Sequence, residues 1–479
     1  MSREPAIKGP VITPDDPRYE SVRAIWNASI ARRPAFIARC LDEEDVVTAL
    51  AFARDRGLPL SIRGGGHNIA GTALCEAGVL IDLQLMKGVA VDPSSRRVRA
   101  QPGVLLGELD AATQALGLAV PAGINSLTGL AGLALGGGIG WLMRRYGLTC
   151  DHLVSARMVL ADGTRTVASA GGDADLFWAI RGGGGNFGIV TEFELSAVPV
   201  GPQVFAGAVL FAAERAGDVV RWYRDELAAN APDDLSTLLN LRTAPPAPWI
   251  PAEHHGRDVL AVAGCWAGDP GEGARCLAPL RRLAGTLADA FSVRPFTEFQ
   301  QFFNATVPPG WGYYWKSCYT RRWSDAAIDT MLAHAWRKET PQSYTIIPHL
   351  GGAIRSVPGD ATAFEGRDAE FAVNINAAWA DVGGGPRDVG WARAFWAAME
   401  PHSTGGVYVN FLGEEGAERV RAAYGAKWQR LAALKARYDP DNVFRANQNI
   451  TPSTWSAAQA APHEPYGREE PPPADPPSA

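Results

Sequence analysis

The stretch Arg63-Gly64-Gly65-Gly66-His67-Asn68 decides how the first half of this 479-residue chain is interpreted. It follows a predicted strand at 58–63, which itself follows a helix predicted to begin after Asp42 and to end at Gly57. Glycine runs remove side chains where the backbone must approach something closely, and their consecutive N–H groups suit a phosphate or pyrophosphate. Two more clusters follow, at 136–140 and 182–188, so a bound cofactor is favoured over three ordinary loops.

The remaining pattern divides the chain into two parts. Strands predicted at 35–40, 79–83 and 98–101, with a helix at 105–116, make the first 200 residues mixed α/β. Around 199–202 the pattern changes to helices, proline-rich loops and an aromatic strand at 311–319, which predicts a domain boundary. Residues 415–437 carry apolar side chains at helical spacing and predict one amphipathic helix, and the tail from about residue 462 is predicted to be disordered.

Composition excludes several classes of function. The chain is 47% hydrophobic and 20% charged with a net charge of -6, which is typical of a globular protein and argues against a nucleic-acid or anionic-membrane partner. Its six cysteines are scattered without a Cys-x-x-Cys pair, so neither a zinc ribbon, a disulfide framework nor another metal site is expected. No signal peptide and no long apolar run are found, so we expect a cytoplasmic protein.

Known nucleotide motifs do not fit. Gly183-x-Gly185-x-x-Gly188 matches a dinucleotide fingerprint, but that motif must open a helix, and residues 189–195 alternate as a strand. The chain has no P-loop, no Gly-x-Ser-x-Gly elbow and no His-Glu-x-x-His. His67 is unusual because a histidine among glycines offers an unhindered imidazole inside the proposed phosphate cradle.

Four segments together carry a resemblance. They are Arg63 to Asn68, Leu135-Gly-Gly-Gly-Ile-Gly-Trp-Leu-Met-Arg-Arg-Tyr-Gly-Leu-Thr-Cys-Asp151, Asp175-Leu-Phe-Trp-Ala-Ile-Arg-Gly-Gly-Gly-Gly-Asn-Phe-Gly-Ile-Val-Thr191, and Tyr438-Asp-Pro-Asp-Asn-Val-Phe-Arg-Ala-Asn-Gln-Asn-Ile450. The chain resembles the berberine-bridge-enzyme-like FAD-linked oxidases of the vanillyl-alcohol-oxidase (PCMH-type) superfamily over residues 18–452. Within that family it looks closest to the bacterial natural-product branch that includes the enterocin-pathway flavoenzyme.

The resemblance implies an α+β fold with a PCMH-type FAD-binding domain and an inserted substrate domain, whose antiparallel sheet is backed by helices. The expected bounds are 18–202 for the first part of the FAD domain and 203–403 for the substrate domain. A C-terminal segment, 404–455, would return to the FAD domain, and 456–479 would be a disordered tail.

The resemblance also implies FAD held by a single covalent link from His67 to a methyl group of the isoalloxazine ring. Some family members add a second link through a cysteine four residues before the glycine that matches Gly129. That position is Asn125 here, and Cys150 is better explained as a buried small hydrophobe. The expected FAD-binding residues are Arg63, Gly64, Gly65, Gly66, His67, Asn68, Asn125, Thr128, Gly129, Gly132, Gly138, Ile139, Gly140, Ile189, Val190, Asn447 and Asn449.

A second departure concerns the proton acceptor. Many family oxidases carry an Asn-Tyr pair whose phenol helps to remove the substrate proton, but this chain has Asn410-Phe411. Because phenylalanine cannot exchange a proton, we consider Tyr408, His349, Tyr314 and Lys316 as replacements, with Asn410 kept in the catalytic set. Strand alternation turns about half of such side chains away from the flavin. Tyr344 and Trp379 are interpreted as packing.

The expected activity is hydride transfer from an alcohol or electron-rich C–H group of a natural-product-like molecule to FAD, with O2 as electron acceptor. An alternative is a flavin-dependent oxygenase acting on a polyketide-like substrate, which the loss of the tyrosine at Phe411 favours. A remote alternative is a flavin-binding protein without turnover. The expected partners are a small-molecule substrate and O2, and either a monomer or a homodimer is compatible with the sequence.

Overall fold

The computed structural model describes residues 4–381 and 385–454. Up to residue 200 the chain alternates short strands with short helices. The strands are β1 (Val11–Ile12), β2 (Phe36–Arg39), β3 (Leu60–Arg63), β4 (Val79–Asp82), β5 (Val89–Asp92), β6 (Arg97–Ala100), β7 (Leu118–Ala119), β8 (Leu153–Val159), β9 (Arg165–Ser169), β10 (Ile189–Ser196) and β11 (Val198–Pro199). The helices are α1 (Tyr19–Arg23), α2 (Glu43–Asp55), α3 (Leu106–Gln114), α4 (Leu130–Gly136), α5 (Met143–Tyr146) and α6 (Ala174–Ile180).

The β2-α2-β3 segment follows the local rules read from the sequence. The Asp42 side chain accepts a hydrogen bond of 3.1 Å from the backbone N–H of Asp45 and caps α2, as predicted. Beyond the helix Gly57 takes a left-handed conformation, with φ of +60°. Strands β2 and β3 then pair in parallel with β4 from either side, and the first glycine cluster begins where β3 ends.

A five-stranded antiparallel sheet in the order β5-β6-β10-β8-β9 forms the second layer of this part. Its central strand, β10, leaves directly from the third glycine cluster, as the alternating pattern predicted. Phe193 and Leu195 of β10 are fully buried in the hydrophobic core that this sheet shares with α3, α4 and α6. The glycine clusters therefore lie at the ends of rigid elements.

A large antiparallel sheet of eight strands dominates the next part of the chain. Its strands are β12 (Gln203–Ala212), β13 (Leu235–Thr243), β14 (Asp258–Trp266), β15 (Thr286–Asp289), β16 (Ser292–Pro295), β17 (Gly312–Thr320), β18 (Tyr344–Pro348) and β19 (Phe371–Trp379). The helices of this part are α7 (Ala216–Trp222), α8 (Pro270–Arg281), α9 (Phe296–Phe299), α10 (Asp325–Ala335), α11 (Ala353–Ser356) and α12 (Pro386–Met399).

The two faces of the large sheet have different surroundings. On the outer face α7, α8, α10 and α12 bury an apolar core with alternate residues of the strands. On the inner face the other residues of β13 and β18 line a cavity against the first part of the chain. This arrangement agrees with the α+β fold that the resemblance to PCMH-type FAD-binding proteins implies, with an antiparallel sheet backed by helices.

The C-terminal segment returns to the first part of the chain, but not as one helix. The amphipathic helix predicted at 415–437 is wrong in its continuity, because Gly425, with φ of +50°, ends α13 (Ala417–Tyr424). A 3-10 turn then leads into α14 (Trp428–Tyr438). The break lets the Tyr424 hydroxyl donate a hydrogen bond of 3.2 Å to the carbonyl of Gly183.

The tail predicted to be disordered, 456–479, lies outside the described residues. Within 4–381 and 385–454 no helix is both long enough and apolar enough to cross a membrane.

Candidate active site

All three glycine clusters reach one cavity between the first part of the chain and the inner face of the large sheet. The first cluster contributes its three glycines, the second contributes Ile139, and the third contributes Gly184, Gly185 and Gly188. The C-terminal segment closes the cavity with residues 408–411 and 446–448. Segments far apart in sequence therefore meet at one site.

The first glycine cluster packs backbone against backbone. A Cβ atom on Gly65 would lie 2.4 Å from the Cα of Gly129, and a Cβ on Gly129 would lie 2.6 Å from the Cα of Gly65. Real Cβ atoms do not approach so closely, and neither backbone can yield without moving a whole loop. Glycine at these two positions therefore brings the loop of residues 64–66 against the start of α4.

Two other glycines leave space instead. A Cβ on Gly132 or on Gly185 would meet no described atom within 4 Å apart from its chain neighbours and, for Gly132, the backbone of its own helix, although both residues line the cavity. Gly132 lies in the first turn of α4, where alanine would be the better helix former. The missing side chains keep open a volume that a flat cofactor could occupy.

His67 lies at one end of the cavity. Its ring stacks on Trp26 with 4.3 Å between centroids, and Trp26 in turn stacks on Tyr313 at 3.7 Å. The Nε2 atom of His67 is buried and has no hydrogen-bond partner in the part of the chain that the structure describes. Burial lowers the pKa of His67 to about 4, so the imidazole is neutral and nucleophilic at physiological pH.

The structure brings most of the predicted cofactor residues to this cavity. They come from four segments of the chain. The lining includes Gly64, Gly65, Gly66, His67, Asn68, Asn125, Thr128, Gly129, Gly132, Ile139, Ile189, Val190 and Asn447.

Four predicted cofactor residues do not line the cavity. The Arg63 guanidinium is fully buried in an ion pair of 2.8 Å with Asp82, its neighbour on β4, so it adds no free positive charge to the cradle. Gly138 and Gly140 serve packing, since a Cβ there would lie 2.0 Å from Thr149 Oγ1 and 1.5 Å from the carbonyl oxygen of Ala122. Asn449 is also absent from the lining, and its buried Oδ1 has no partner.

Tyr408 and Asn410 do reach the cavity and are bonded to each other. The Tyr408 oxygen accepts one hydrogen bond from the backbone N–H of Gly138 and one from Asn410 Nδ2, both 2.9 Å long. Asn410 is fixed by a second bond from Nδ2 to the carbonyl of Leu133 and by contact with Gly136, where a Cβ would lie 2.2 Å from its Oδ1. Burial raises the pKa of Tyr408 to about 12, while the two donors lower it.

Tyr314 and His349 do not line the cavity, and the geometry corrects their assignment as catalytic candidates. On β17 Tyr313 and Trp315 point inward, so Tyr314 points to the outer helices, where its hydroxyl accepts a hydrogen bond of 3.1 Å from Arg393. His349 stacks on Phe371 at 5.1 Å between centroids, and burial lowers its pKa to about 3. Lys316 also points outward and pairs with Glu415.

Several lining residues were missed from the sequence. Tyr344, which we interpreted as packing, lines the cavity, whereas Trp379 does not. Asn240 and Arg242 occupy alternate positions of β13 and therefore share one face of the sheet, but the sequence alone does not indicate that this face meets the cavity. The other missed residues include Trp26, Trp315 and Gln448.

Comparison with protein families places two matches on these same segments. The family described as "FAD binding domain" matches residues 34–169, which carry the first two glycine clusters. The family described as "Berberine and berberine like" matches residues 407–451, which carry Tyr408, Asn410 and Asn447.

Similar proteins cover nearly the whole chain. An uncharacterised FAD-linked oxidoreductase of Bacillus subtilis is 33% identical over 93% of this chain and 97% of that protein. The (R)-6-hydroxynicotine oxidase of Paenarthrobacter nicotinovorans is 31% identical, again over 93% of this chain and 97% of its own length. Among solved structures, 6-hydroxy-D-nicotine oxidase from Arthrobacter nicotinovorans superposes with a TM-score of 0.84 at 28% identity, covering 94% of this chain and 99% of that one.

Proposed function

The chain belongs to the berberine-bridge-enzyme-like family of FAD-linked oxidoreductases, and we propose that it oxidises an alcohol or electron-rich C–H group of a natural-product-like molecule with O2 as electron acceptor. The observation that carries the proposal is the convergence of His67 and of the Tyr408–Asn410 pair on one cavity. The alternative of a flavin-binding protein without turnover is disfavoured, because the similar proteins are named oxidoreductases and oxidases.

The residues of the cavity fit FAD. The neutral His67 imidazole has an unpartnered Nε2 atom, and the open space beside Gly132 and Gly185 suits a flat ring system and its backbone-bound diphosphate. FAD supplies the two-electron chemistry when bound. The described chain would hold it through the glycine loops, Asn125 and Thr128, with Ile189 and Val190 packing beside them.

The same residues support a single covalent link through His67. None of the six cysteines, all of which lie within the described residues, lines the cavity. Cys150 is fully buried, and burial raises the pKa of its thiol far above the ordinary value, so it stays protonated and unreactive. A second link of the cysteine type therefore has no donor here.

Tyr408 is the proposed proton acceptor. Its oxygen already accepts hydrogen bonds from Gly138 and Asn410, and both donors favour the phenolate that a base requires. The phenol proton has no acceptor within these bonds and is available to a group in the cavity. Asn410 is a positioning residue, because it acts through the phenol of Tyr408.

The oxygenase alternative has one supporting observation. Phe411 lines the cavity where many family oxidases carry a tyrosine, and it packs edge-on against Tyr408 at 4.9 Å between centroids. Since Tyr408 supplies a phenol only three residues away, oxidation without oxygen insertion is the better-supported activity. Turnover under ¹⁸O2 separates the two, because oxidation leaves the label in peroxide or water and oxygenation incorporates it into the product.

The proposal is tested by acid precipitation of the purified protein with intact mass measurement. We expect a yellow pellet and a mass surplus of one FAD, which is lost in His67→Ala and retained in the control Cys150→Ala. Flavin released wholly into the supernatant by the unmodified protein would contradict the covalent link. A protein that holds no flavin at all would contradict the proposed function.

A further inference from the structure

A row of polar and aromatic side chains crosses four neighbouring strands on the inner face of the large sheet. Each residue of the row lies directly opposite the next one on the adjacent strand. Trp315 pairs with Asn376, Asn376 with Tyr344, and Tyr344 with Arg242. Directly opposite residues of antiparallel strands share a face, so all four point toward the cavity side. At 4.7–4.9 Å between strands the row extends roughly 14 Å from Trp315 to Arg242.

Arg242 is the charged member of this row, and it has no ionic partner among the described residues. It is the only Asp, Glu, Lys or Arg residue, and so the only one with a permanently charged type of side chain, among the described residues that line the cavity. Arg242 is 7% exposed. Within residues 4–381 and 385–454 its side chain forms no salt bridge and one hydrogen bond, 3.3 Å from Nε to the carbonyl of Thr243, which leaves the two terminal nitrogens free. Its guanidinium lies 5.6 Å from the centre of the Tyr344 ring.

The surrounding groups do not neutralise this charge. Asp258, on the neighbouring strand β14, pairs with Lys338 and accepts a hydrogen bond from Thr243. Burial lowers the pKa of Arg242 to about 10, which still leaves it protonated at physiological pH. A buried cation without a counterion is costly, so an anion bound beside Arg242 would be stabilising.

Asn240 gives the site a second polar group. It lies two residues before Arg242 on the same face of β13, and its side chain makes no hydrogen bond to any described residue. An arginine fork and a neighbouring amide together match the two oxygens of a carboxylate. The aromatic rings of Tyr344 and Trp315 belong to the same row and suit a planar body attached to that carboxylate.

We propose that Arg242, assisted by Asn240, binds a carboxylate of the substrate, so that the enzyme acts on aromatic or similarly planar carboxylic acids. This inference rests on the proposed function, because it names the substrate class of the same cavity. Arg242 is then a specificity-determining residue that orients the acid along the inner face, with the oxidisable group toward Tyr408.

The test titrates the holoenzyme with matched acid and amide pairs and follows the flavin absorbance. Suitable probes are benzoate against benzamide, phenylacetate against phenylacetamide, and cinnamate against cinnamamide. We expect at least one acid to bind more tightly than its amide, and Arg242→Met to weaken that acid about 10- to 100-fold while leaving the amide within about twofold. Arg242→Lys should retain part of the preference, and Arg282→Met, an exposed arginine beyond α8, should leave it unchanged.

Two outcomes overturn the inference. The first is that no acid of the series binds, or that none binds more weakly to Arg242→Met than to the parent enzyme. The second is that Arg242→Met loses flavin or shifts its reduction potential with no change in acid selectivity, which would make the cofactor the partner of Arg242. In either case the proposed function still holds if substrate reduces the flavin and O2 reoxidises it. An enzyme whose flavin does not turn over would contradict both the proposed function and this inference.

Discussion

At residue 408 the arrangement of donors has a direct chemical consequence. A phenol oxygen that accepts two hydrogen bonds, here from Gly138 N–H and Asn410 Nδ2, has its lone pairs occupied and its proton directed elsewhere. The same two donors would stabilise a phenolate, as donors in an oxyanion hole stabilise developing negative charge. Phe364 and Phe411 pack edge-on against the ring of Tyr408, which is 2% exposed.

We therefore predict that Tyr408→Phe lowers kcat by about 10²- to 10⁴-fold while the flavin content is unchanged, because the variant removes a single oxygen atom from the site. The measurement is steady-state O2 consumption, with flavin content read from the absorbance of the purified protein. Tyr314→Phe, whose hydroxyl points to the outer helices, is the matched control and should retain its activity.

The pH dependence provides an independent check on Tyr408. Since burial raises its pKa to about 12 and a base acts in its deprotonated form, kcat/KM should rise with pH across the neutral and moderately alkaline range, about tenfold per unit. In Tyr408→Phe this slope should vanish. A slope that persists in the variant would assign the proton transfer to another group.

Individual residues of the site differ in how far the sequence identified them. His67 could be predicted, because a histidine that directly follows a glycine run, inside a proposed cofactor cradle, has few structural explanations. Arg63, in the same motif, could not, because its partner Asp82 is 19 positions away and is brought beside it only by the pairing of β3 with β4. Arg242 was missed because nothing local distinguishes a cation that faces a cavity from one that faces solvent.

At the scale of elements, α3 and α9 meet through a buried carboxyl group. Asp110 Oδ2 on α3 accepts a hydrogen bond of 2.8 Å from Nε2 of Gln300, which follows α9. Asp110 Oδ1 and Gln300 Oε1 are both buried without a partner. Burial raises the pKa of Asp110 from 3.8 to about 7, so a proton is held there that the unfolded chain would release near pH 4.

This predicts a stability gain for Asp110→Asn at alkaline pH. Because the folded state binds the proton more tightly, the free energy of unfolding falls as pH rises from about 4 to about 7 and then levels off. An amide is neutral at every pH and escapes this loss, so the variant should gain up to about 4 kcal/mol at pH 8, with the gain disappearing toward pH 4. Urea unfolding at both pH values measures it, with the exposed Asp55→Asn as control. A gain equal at both pH values would contradict the assignment.

Elements with local signals were predicted well, and elements that depend on distant contacts were not. The start of α2 has its own cap in Asp42, and β10 has its own alternation. The helix predicted at 415–437 splits at Gly425, since the chain bends there to bring Tyr424 against the third glycine cluster. On β17 the alternation was evident, but its phase, which turns Trp315 inward and Tyr314 outward, depends on the sheet as a whole.

At the scale of the whole molecule, the cavity exists because three separate stretches of chain converge. The first part of the chain with its glycine clusters, the large antiparallel sheet and the C-terminal segment each supply one wall. The family resemblance predicted this arrangement, whereas patterns within the sequence alone could not, because none of them reports which distant segments meet. The C-terminal wall is held by Lys435, whose ammonium donates to the carbonyls of Asn186 and Phe444 and to Asp439 Oδ2.

Lys435→Met tests whether this one buried cation fixes the C-terminal wall. Both Lys435 and Asp439 have fully buried side chains, so removing the ammonium leaves the Asp439 carboxylate uncompensated. We expect a loss of about 3–5 kcal/mol in the free energy of unfolding by urea, together with lower flavin content, because Asn186 lines the cavity. The control is Arg437→Met, on the same helix as Lys435. It removes an exposed ion pair with Asp175 and should lower the free energy of unfolding by no more than about 1 kcal/mol.

The double variant Lys435→Met/Asp439→Asn separates the two contributions to that loss. Asp439 also accepts hydrogen bonds from the backbone N–H groups of Val443 and Phe444, which an asparagine oxygen can still accept in part. If the uncompensated carboxylate dominates, the double variant should recover part of the stability lost in Lys435→Met. If Lys435→Met alone is as stable as Arg437→Met and keeps its flavin, the C-terminal wall must instead be held by the apolar contacts of α14.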